Sequence, residues 1–417
     1  MNNLSSKFPG KPVLHRAEWI VPVSRQPVQN GAVLTANDRI IAAGEFHSLQ
    51  ANCPAGTSVA DHGHVALMPA LVNAHTHLDL SALKGGISFP RTGFPDWIGQ
   101  LFSLRAGMDT EAAKNSFRQG EQEILESGTA LYGDVTNGTL VEYSGRPPRL
   151  PERHVFLELL GFNLDSVSAA LPPLDDFPEH SPSLSLVPHS VYSVSPLIIA
   201  ESKRWARARG LPYSIHTAEH AEEIEFLQNG TGFCLELLER LGRWDPSWQP
   251  PRKTPIEYLD GLGVLDWSTL LVHTVHMRDS DWDLAANRRC TVVFCPRSNS
   301  NIGAGRPDIE KALSRNMRAA LGTDSLASNT DLSLFAEAAF VLENYPAIPP
   351  AAVLEMITIN PAEALGREKD FGSIEEGRKA AILEVGIDPG TDESNIVEAL
   401  IHSGKGGACK WAIPAKS

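Results

Sequence analysis

Between residues 68 and 323, eight apolar, strand-like runs alternate with stretches of helical periodicity, and this alternation limits the chain to a few folds. The runs lie near 68–74, 129–135, 154–160, 184–188, 213–216, 269–273, 291–294 and 318–323. Helical patterns separate most of them, as at 110–126 and 196–209, and another follows the last run at 331–343. Eight strands alternating with helices predict an α/β protein with a (β/α)8, TIM-like barrel, and a doubly wound open sheet is the runner-up. The barrel is preferred because chemistry-bearing residues fall at the carboxyl ends of several different strands, where barrel active sites lie.

The two ends of the chain read differently. Residues 13–67 suggest short strands and turns, among them Trp19-Ile-Val-Pro-Val and Arg39-Ile-Ile-Ala-Ala-Gly44. After Gly372-Ser-Ile-Glu-Glu-Gly377 the chain returns to this style, with further strands expected at 396–402 and 408–413. Residues 1–67 and 373–417 are therefore expected to form a small β-sandwich domain, and 68–372 the barrel. Two long gaps between strands, 81–128 and 221–268, are rich in Gly, Pro and aromatic residues. Such segments either cover a substrate or pack on the barrel side.

The first strand-like run ends in His75-Thr-His77. On a strand, i and i+2 share a face, so both imidazoles reach one ion. By itself the pair reads equally well as two polar loop residues. Three later segments tip the balance: His216-Thr-Ala-Glu219, Val272-His273 and Gly322-Thr-Asp324. His75, His77, His216 and Asp324 are the expected ligands of one divalent metal ion, Zn2+ or Fe2+. Such an ion lowers the pKa of bound water from 15.7 to about 7. Asp324 can also hold or accept the proton of that water. Glu219, three residues past His216, is placed to carry a proton to a leaving group. Its neighbours Glu222, Glu223 and Glu225 read as solvated helix residues. His273 is expected to stabilise charge on the attacking oxygen, His276 to be structural, and His189 to bond substrate. No lysine lies in 183–194, which favours one metal over a bridged pair. The H-E-x-x-H protease motif and the P-C-x-x-C nucleobase deaminase motif are absent.

The net charge of −14 leaves no basic excess for a nucleic-acid backbone. Five scattered cysteines with no C-x-x-C pair suggest reduced thiols in a reducing compartment. No apolar run approaches the roughly 18 residues of a membrane span, and the first residues carry no signal-peptide pattern. The expectation is a cytoplasmic protein without nucleic-acid or membrane partners.

Taken together, Pro69-Ala-Leu-Val-Asn-Ala-His75-Thr-His77-Leu, His216-x-x-Glu219, Val272-His273, Cys295-Pro-x-Ser-Asn299, Gly322-Thr-Asp324 and Ile359-Asn-Pro-Ala-Glu-Ala-Leu-Gly366 resemble the amidohydrolase superfamily in its mononuclear nucleoside deaminase branch. Within that branch the chain is most similar to 6-amino-6-deoxyfutalosine deaminases, through His77-Leu-Asp-Leu-Ser81, Pro188-His-x-x-Tyr-Ser-Val-Ser195 and Gly322-Thr-Asp-Ser-Leu-Ala-Ser-Asn329. Asp79 stands where the pattern has Glu. The resemblance implies hydrolytic deamination of an adenine nucleoside, in a route to menaquinone. The alternatives are methylthioadenosine, S-adenosylhomocysteine or adenosine as substrate, guanine or pterin deamination, and chlorohydrolysis. A non-catalytic scaffold is disfavoured because every ligand and acid–base position is filled. The implied substrate carries a distal carboxylate, for which Arg91, Arg105 and Arg297 are the candidates. Trp97 is placed to pack on the extension. A small purine nucleoside is the expected partner, and a homodimer is compatible with the chain.

Overall fold

The computed structural model describes residues 11–108, 110–137, 150–171 and 183–413. Seven strands come from the two ends of the chain: β1 (Pro12–Ile20), β2 (Val28–Ala36), β3 (Arg39–Glu45), β4 (Ser58–Asp61), β5 (Val65–Pro69), β14 (Ile382–Gly386) and β15 (Cys409–Trp411). They form one sheet in the order β15-β14-β5-β1-β2-β3, with β4 beside β1. The ends meet where β14 pairs antiparallel with β5, Ile382 opposite Pro69.

The middle of the chain supplies two parallel four-stranded sheets. One is β6 (Leu71–Thr76), β7 (Thr129–Thr136), β8 (Glu152–Leu159) and β9 (Leu184–Pro188). The other is β10 (Tyr213–Thr217), β11 (Thr269–His273), β12 (Thr291–Phe294) and β13 (Arg318–Leu321). Almost every residue of these strands is buried, which is why they read as continuous apolar runs rather than alternating ones. The sheets touch at both edges. His216 N donates to His189 O at 3.0 Å, and Asp324 N to His75 O at 3.1 Å. Parallel bridges join Ser190 to His216 and Thr76 to Asp324 at the same two places. All eight predicted strands are present.

Three expectations change. Residues 396–405 are a helix, not a strand. Its buried residues Ile396, Leu400, Ile401 and Gly404 recur with helical spacing, and it packs on helices Leu334–Asn344 and Pro350–Met356. A Cβ at Gly404 would lie 2.5 Å from the Phe335 ring, so only glycine permits that approach. Part of the expected C-terminal β domain therefore packs against the α/β unit. The two long gaps are also not open loops. Besides the expected helix Thr110–Glu126, the first holds helix Phe94–Arg105, and the second holds Ala221–Asn229, Phe233–Arg240 and Pro255–Gly261. Trp97 is thus a helix residue. The outer ends of the expected terminal domain, 1–10 and 414–417, lie outside the described residues. Among the described residues, no helix is long and apolar enough to cross a membrane.

Candidate active site

The carboxyl ends of β6, β10, β11 and β13 deliver their side chains to one place. Pairing of β6 with β7 shifts register between Asn73 and Thr76, an irregularity that re-aims the strand at His75. His77 Nε2 then lies 3.2 Å from His75 Nε2 and 3.3 Å from His216 Nε2. Asp324 Oδ1 is 3.8 Å from His75 Nε2 and 3.7 Å from His77 Nε2. Bonds of 2.0–2.1 Å to a tetrahedral ion would space the ligand atoms by about 3.3 Å. Three imidazole nitrogens facing one another this closely lack donors enough to satisfy each other, so the donor set fits a divalent cation. The second atoms of His216 and Asp324 are tied down, whereas His75 Nδ1 is buried without a hydrogen-bond partner among the described residues. His216 Nδ1 donates to His189 O at 2.9 Å, which leaves the Nε2 lone pair for the site. The second oxygen of Asp324 accepts from Ser298 Oγ at 2.6 Å and Ser328 Oγ at 2.8 Å, which turns Oδ1 toward the histidines.

The backbone here is unusual. Asp324 (φ 56°), Ala218 (φ 51°) and His273 (φ 75°) are non-glycine residues in the left-handed region. Such conformations cost of order 1–3 kcal/mol each and persist only where surroundings impose them. Ala218 O accepts from His276 N at 2.8 Å, and Thr217 O from Thr274 N at 3.0 Å. A Cβ on Gly322 would meet His75 O at 2.7 Å, so the β13 turn closes on β6 only with glycine there.

Glu219 and His273 face each other, Oε1 to Nε2, at 3.4 Å. Asn299 Nδ2 approaches His273 Nδ1 at 3.1 Å. This contact holds the far side of the His273 ring and leaves Nε2 turned into the site. Burial pushes the Glu219 carboxyl well above its ordinary range, and Asp324 and Glu223 add to this. Burial likewise holds His273 at about 3, as the neutral ring.

Glu223 corrects the reading of the acidic run. It is fully buried, and its carboxylate accepts from Ala218 N and Glu219 N at 3.0 Å each. It therefore sets the turn that carries Glu219. His220 caps the same helix through Nδ1 and stacks on Phe94, with ring centroids 3.7 Å apart.

His77, His216, Glu219, His273 and Asp324 form the floor of a cavity of about 560 Å³, within the range of small-molecule sites, with His75 buried behind them. Its walls are mostly apolar, with Trp97, Ile98 and Leu101 on one side and Leu237, Leu238 and Leu241 on another. Trp97 Nε1 donates to Ala327 O at 2.8 Å, which locks the indole. His189 lines the cavity, its Nδ1 held by Ser190 and Ser193. His276 Nε2 bonds Ala304 O at 2.8 Å. Of the three candidate arginines, only Arg105 lines the cavity, and it bonds Asn137 Oδ1 at 2.8 Å. Arg91 lies outside the cavity wall and is spent on Asp96 at 2.5 Å, and Arg297 on Asp331 at 2.7 and 2.8 Å. An ion-paired guanidinium has little left to offer a ligand.

Sequence reasoning passed over several wall and support residues. Glu158 and Asp79 line the cavity, and burial raises both, to about 8 and about 6. A charged residue inside the buried strand β8 was the available signal for Glu158. Ser298, Asn299, Ser328 and Arg243 had no assigned role. A second cluster, Glu158, His189 and His216, also brings ligand-type atoms within 4.8 Å, but it shares His216 with the first.

A family model for the amidohydrolase family matches residues 183–405. A 5-methylthioadenosine/S-adenosylhomocysteine deaminase of Nitratidesulfovibrio vulgaris is 31% identical over 389 residues, covering 87% of this chain and 80% of that protein. An aminodeoxyfutalosine deaminase of Deinococcus radiodurans is 28% identical over 358 residues, covering 82% of each chain. The crystal structure of Helicobacter pylori aminofutalosine deaminase with methylthio-coformycin aligns at TM-score 0.79 and 21% identity, over 95% of this chain and 99% of that one, a likeness of fold. By the matched model and the N. vulgaris relative, the chain belongs to the amidohydrolase family and is a hydrolase.

Proposed function

We propose that the chain is a metal-dependent hydrolytic deaminase of an adenine nucleoside, with 6-amino-6-deoxyfutalosine preferred. The observation that carries this reading is the pairing of two features on one cavity floor. Three histidine nitrogens and a carboxylate oxygen converge there, and a buried carboxyl, Glu219, stands opposite a neutral His273. In this reading His75, His77, His216 and Asp324 hold one Zn2+ or Fe2+. When bound, such an ion acidifies water and so supplies a hydroxide nucleophile near neutral pH.

The chain's own groups do the rest. Asp324 accepts one proton of the attacking water, and Glu219 delivers a proton to the ring nitrogen beside the amino-bearing carbon. A C–O bond forms at that carbon. His273 Nε2–H donates to the developing oxyanion. The C–N bond then breaks as the proton held by Asp324 passes to the departing amino group, which leaves as ammonia, and the remaining hydroxyl proton returns to Glu219. The ring carbon ends as a carbonyl with a proton on the neighbouring nitrogen. The apolar walls keep bulk water from these transfers.

The fold behind this reading is a closed (β/α)8 barrel within 68–372, with a small β domain built from the strands of 12–69, 382–386 and 409–411, and with helix Ile396–Lys405 packed on the barrel helices. Contacts at both sheet edges support closure. A second substrate reading, methylthioadenosine or S-adenosylhomocysteine, is favoured by the N. vulgaris relative. Ammonia release from a nucleoside panel, measured on metal-replete protein, separates them. Preference for aminodeoxyfutalosine is expected. More efficient turnover of methylthioadenosine or S-adenosylhomocysteine would reverse the substrate assignment, and no ammonia from any aminopurine would end the deaminase reading.

A further inference from the structure

The cavity has an acidic and imidazole floor, apolar walls and two arginines, Arg105 and Arg243. Arg105 is engaged by Asn137 and lies 3.9 Å from Asp79. The Arg243 guanidinium, in contrast, has no hydrogen-bond or ion-pair partner among the described residues. It is half-buried in the same wall as Leu237, Leu238 and Leu241.

The placement of Arg243 is built by the backbone. Helix Phe233–Arg240 ends in a turn at Gly242, whose φ of 64° is left-handed. Gly242 N bonds Glu239 O at 3.0 Å, and Arg243 N returns to Leu238 O at 2.8 Å. These bonds fold the chain back over the helix end, the common glycine-dependent helix stop. The next residue, Trp244, stacks on Phe162 with centroids 5.8 Å apart and planes 11° from parallel. Arg243 is thus held between a fixed turn and a half-buried indole, beside the buried Leu237 and Leu238, which lower the local dielectric. A guanidinium in such surroundings gains more from an anion than one in open water, and its planar fork suits a carboxylate.

We propose that Arg243 is a specificity-determining residue that reads an anionic group, of carboxylate type, at the end of the substrate away from the purine. This deepens the deaminase reading and rests on it for the orientation of the purine. The remaining wall around Arg243 is apolar, so the group between sugar and anion is expected to be hydrocarbon or thioether rather than polar.

The test uses metal-replete full-length protein and two adenosines extended at the 5′ position by the same thioalkyl chain, one ending in carboxylate and one in carboxamide. Wild-type kcat/KM should favour the carboxylate by on the order of 10- to 100-fold. Arg243→Gln should bring that ratio to about 1, and Arg243→Lys should fall between. A wild-type ratio near 1, or an unchanged ratio in Arg243→Gln, overturns the proposal. Calorimetry with the corresponding pair of deaminated, inosine-type nucleosides reads the same preference in Kd without turnover. If no ammonia is released but the calorimetric preference disappears in Arg243→Gln, the deaminase reading fails and the anion site stands. If ammonia is released without charge preference in either measurement, the anion site fails and the deaminase reading stands.

Discussion

The floor and the rim of the cavity are built in opposite ways. On the floor, side chains sit at strand ends or in the turns just after them, and second atoms are held as well: His216 by a carbonyl, His273 by Asn299, Asp324 by two serines. On the rim, helices inserted between strands contribute apolar surface, and the turn after one of them contributes a guanidinium with no partner among the described residues. The difference teaches a division of labour. Strand ends set the distances between reacting groups, because the sheet hydrogen bonds beneath them leave little freedom. Inserted helices set what fits, because they change without disturbing the sheet.

The largest test of this division removes the metal or one of its ligands. Chelation, or His216→Ala, should take ammonia release to background, with one ion equivalent per chain in the untreated protein. Two equivalents by elemental analysis, or full turnover after chelation, would break the account of the floor. Next is Glu219→Gln, which keeps the shape but cannot carry a proton. Its kcat should fall by about 10²- to 10⁴-fold with full metal content. Loss of metal there would show Glu219 to be a ligand. A smaller effect is expected from Ser298→Ala, which frees the second oxygen of Asp324. Metal affinity should drop by about 10- to 100-fold, as for other groups that orient metal ligands. An unchanged affinity in a metal-competition titration would mean that the serine does not orient the carboxylate. The smallest belongs to the rim. Trp97→Phe removes the bond to Ala327 O, with about 1 kcal/mol of stability expected by denaturant titration. KM values should shift unequally across nucleosides while metal content stays full. If this variant loses metal, floor and rim are not separate.

Much of the floor was legible in the chain. Residues 184–188, 269–273 and 291–294 were read with the bounds the structure gives. His75, His77, His216 and Asp324 do converge. The reason is that a buried parallel strand leaves a local signature, and the residues at its carboxyl end reach the cavity. The supports were not legible. Ser298 and Asp324 are 26 positions apart, and Thr76 and Asp324 are 248 apart. No local pattern shows that such residues meet. Glu223 misled for a similar reason: its position in an acidic helix start suggested solvent, but the turn above it needed an acceptor for two backbone amides. Residues 396–405 misled because a short apolar run is compatible with strand or helix, and packing on the neighbouring helices decided it.

Local order along the chain determined the number and kind of the core strands and placed His75, His77, His216, Glu219, His273 and Asp324 at their ends, since these depend on apolar runs and on the residues that follow each run. Tertiary structure alone decided the left-handed turns at Ala218, His273 and Asp324, the orientation of the His273 ring, and which cavity-wall arginine has no partner among the described residues. Each of those depends on a partner distant in sequence. A turn is held in a costly conformation, a ring is fixed in one orientation, or a guanidinium is consumed or spared only when segments far apart in sequence are packed together.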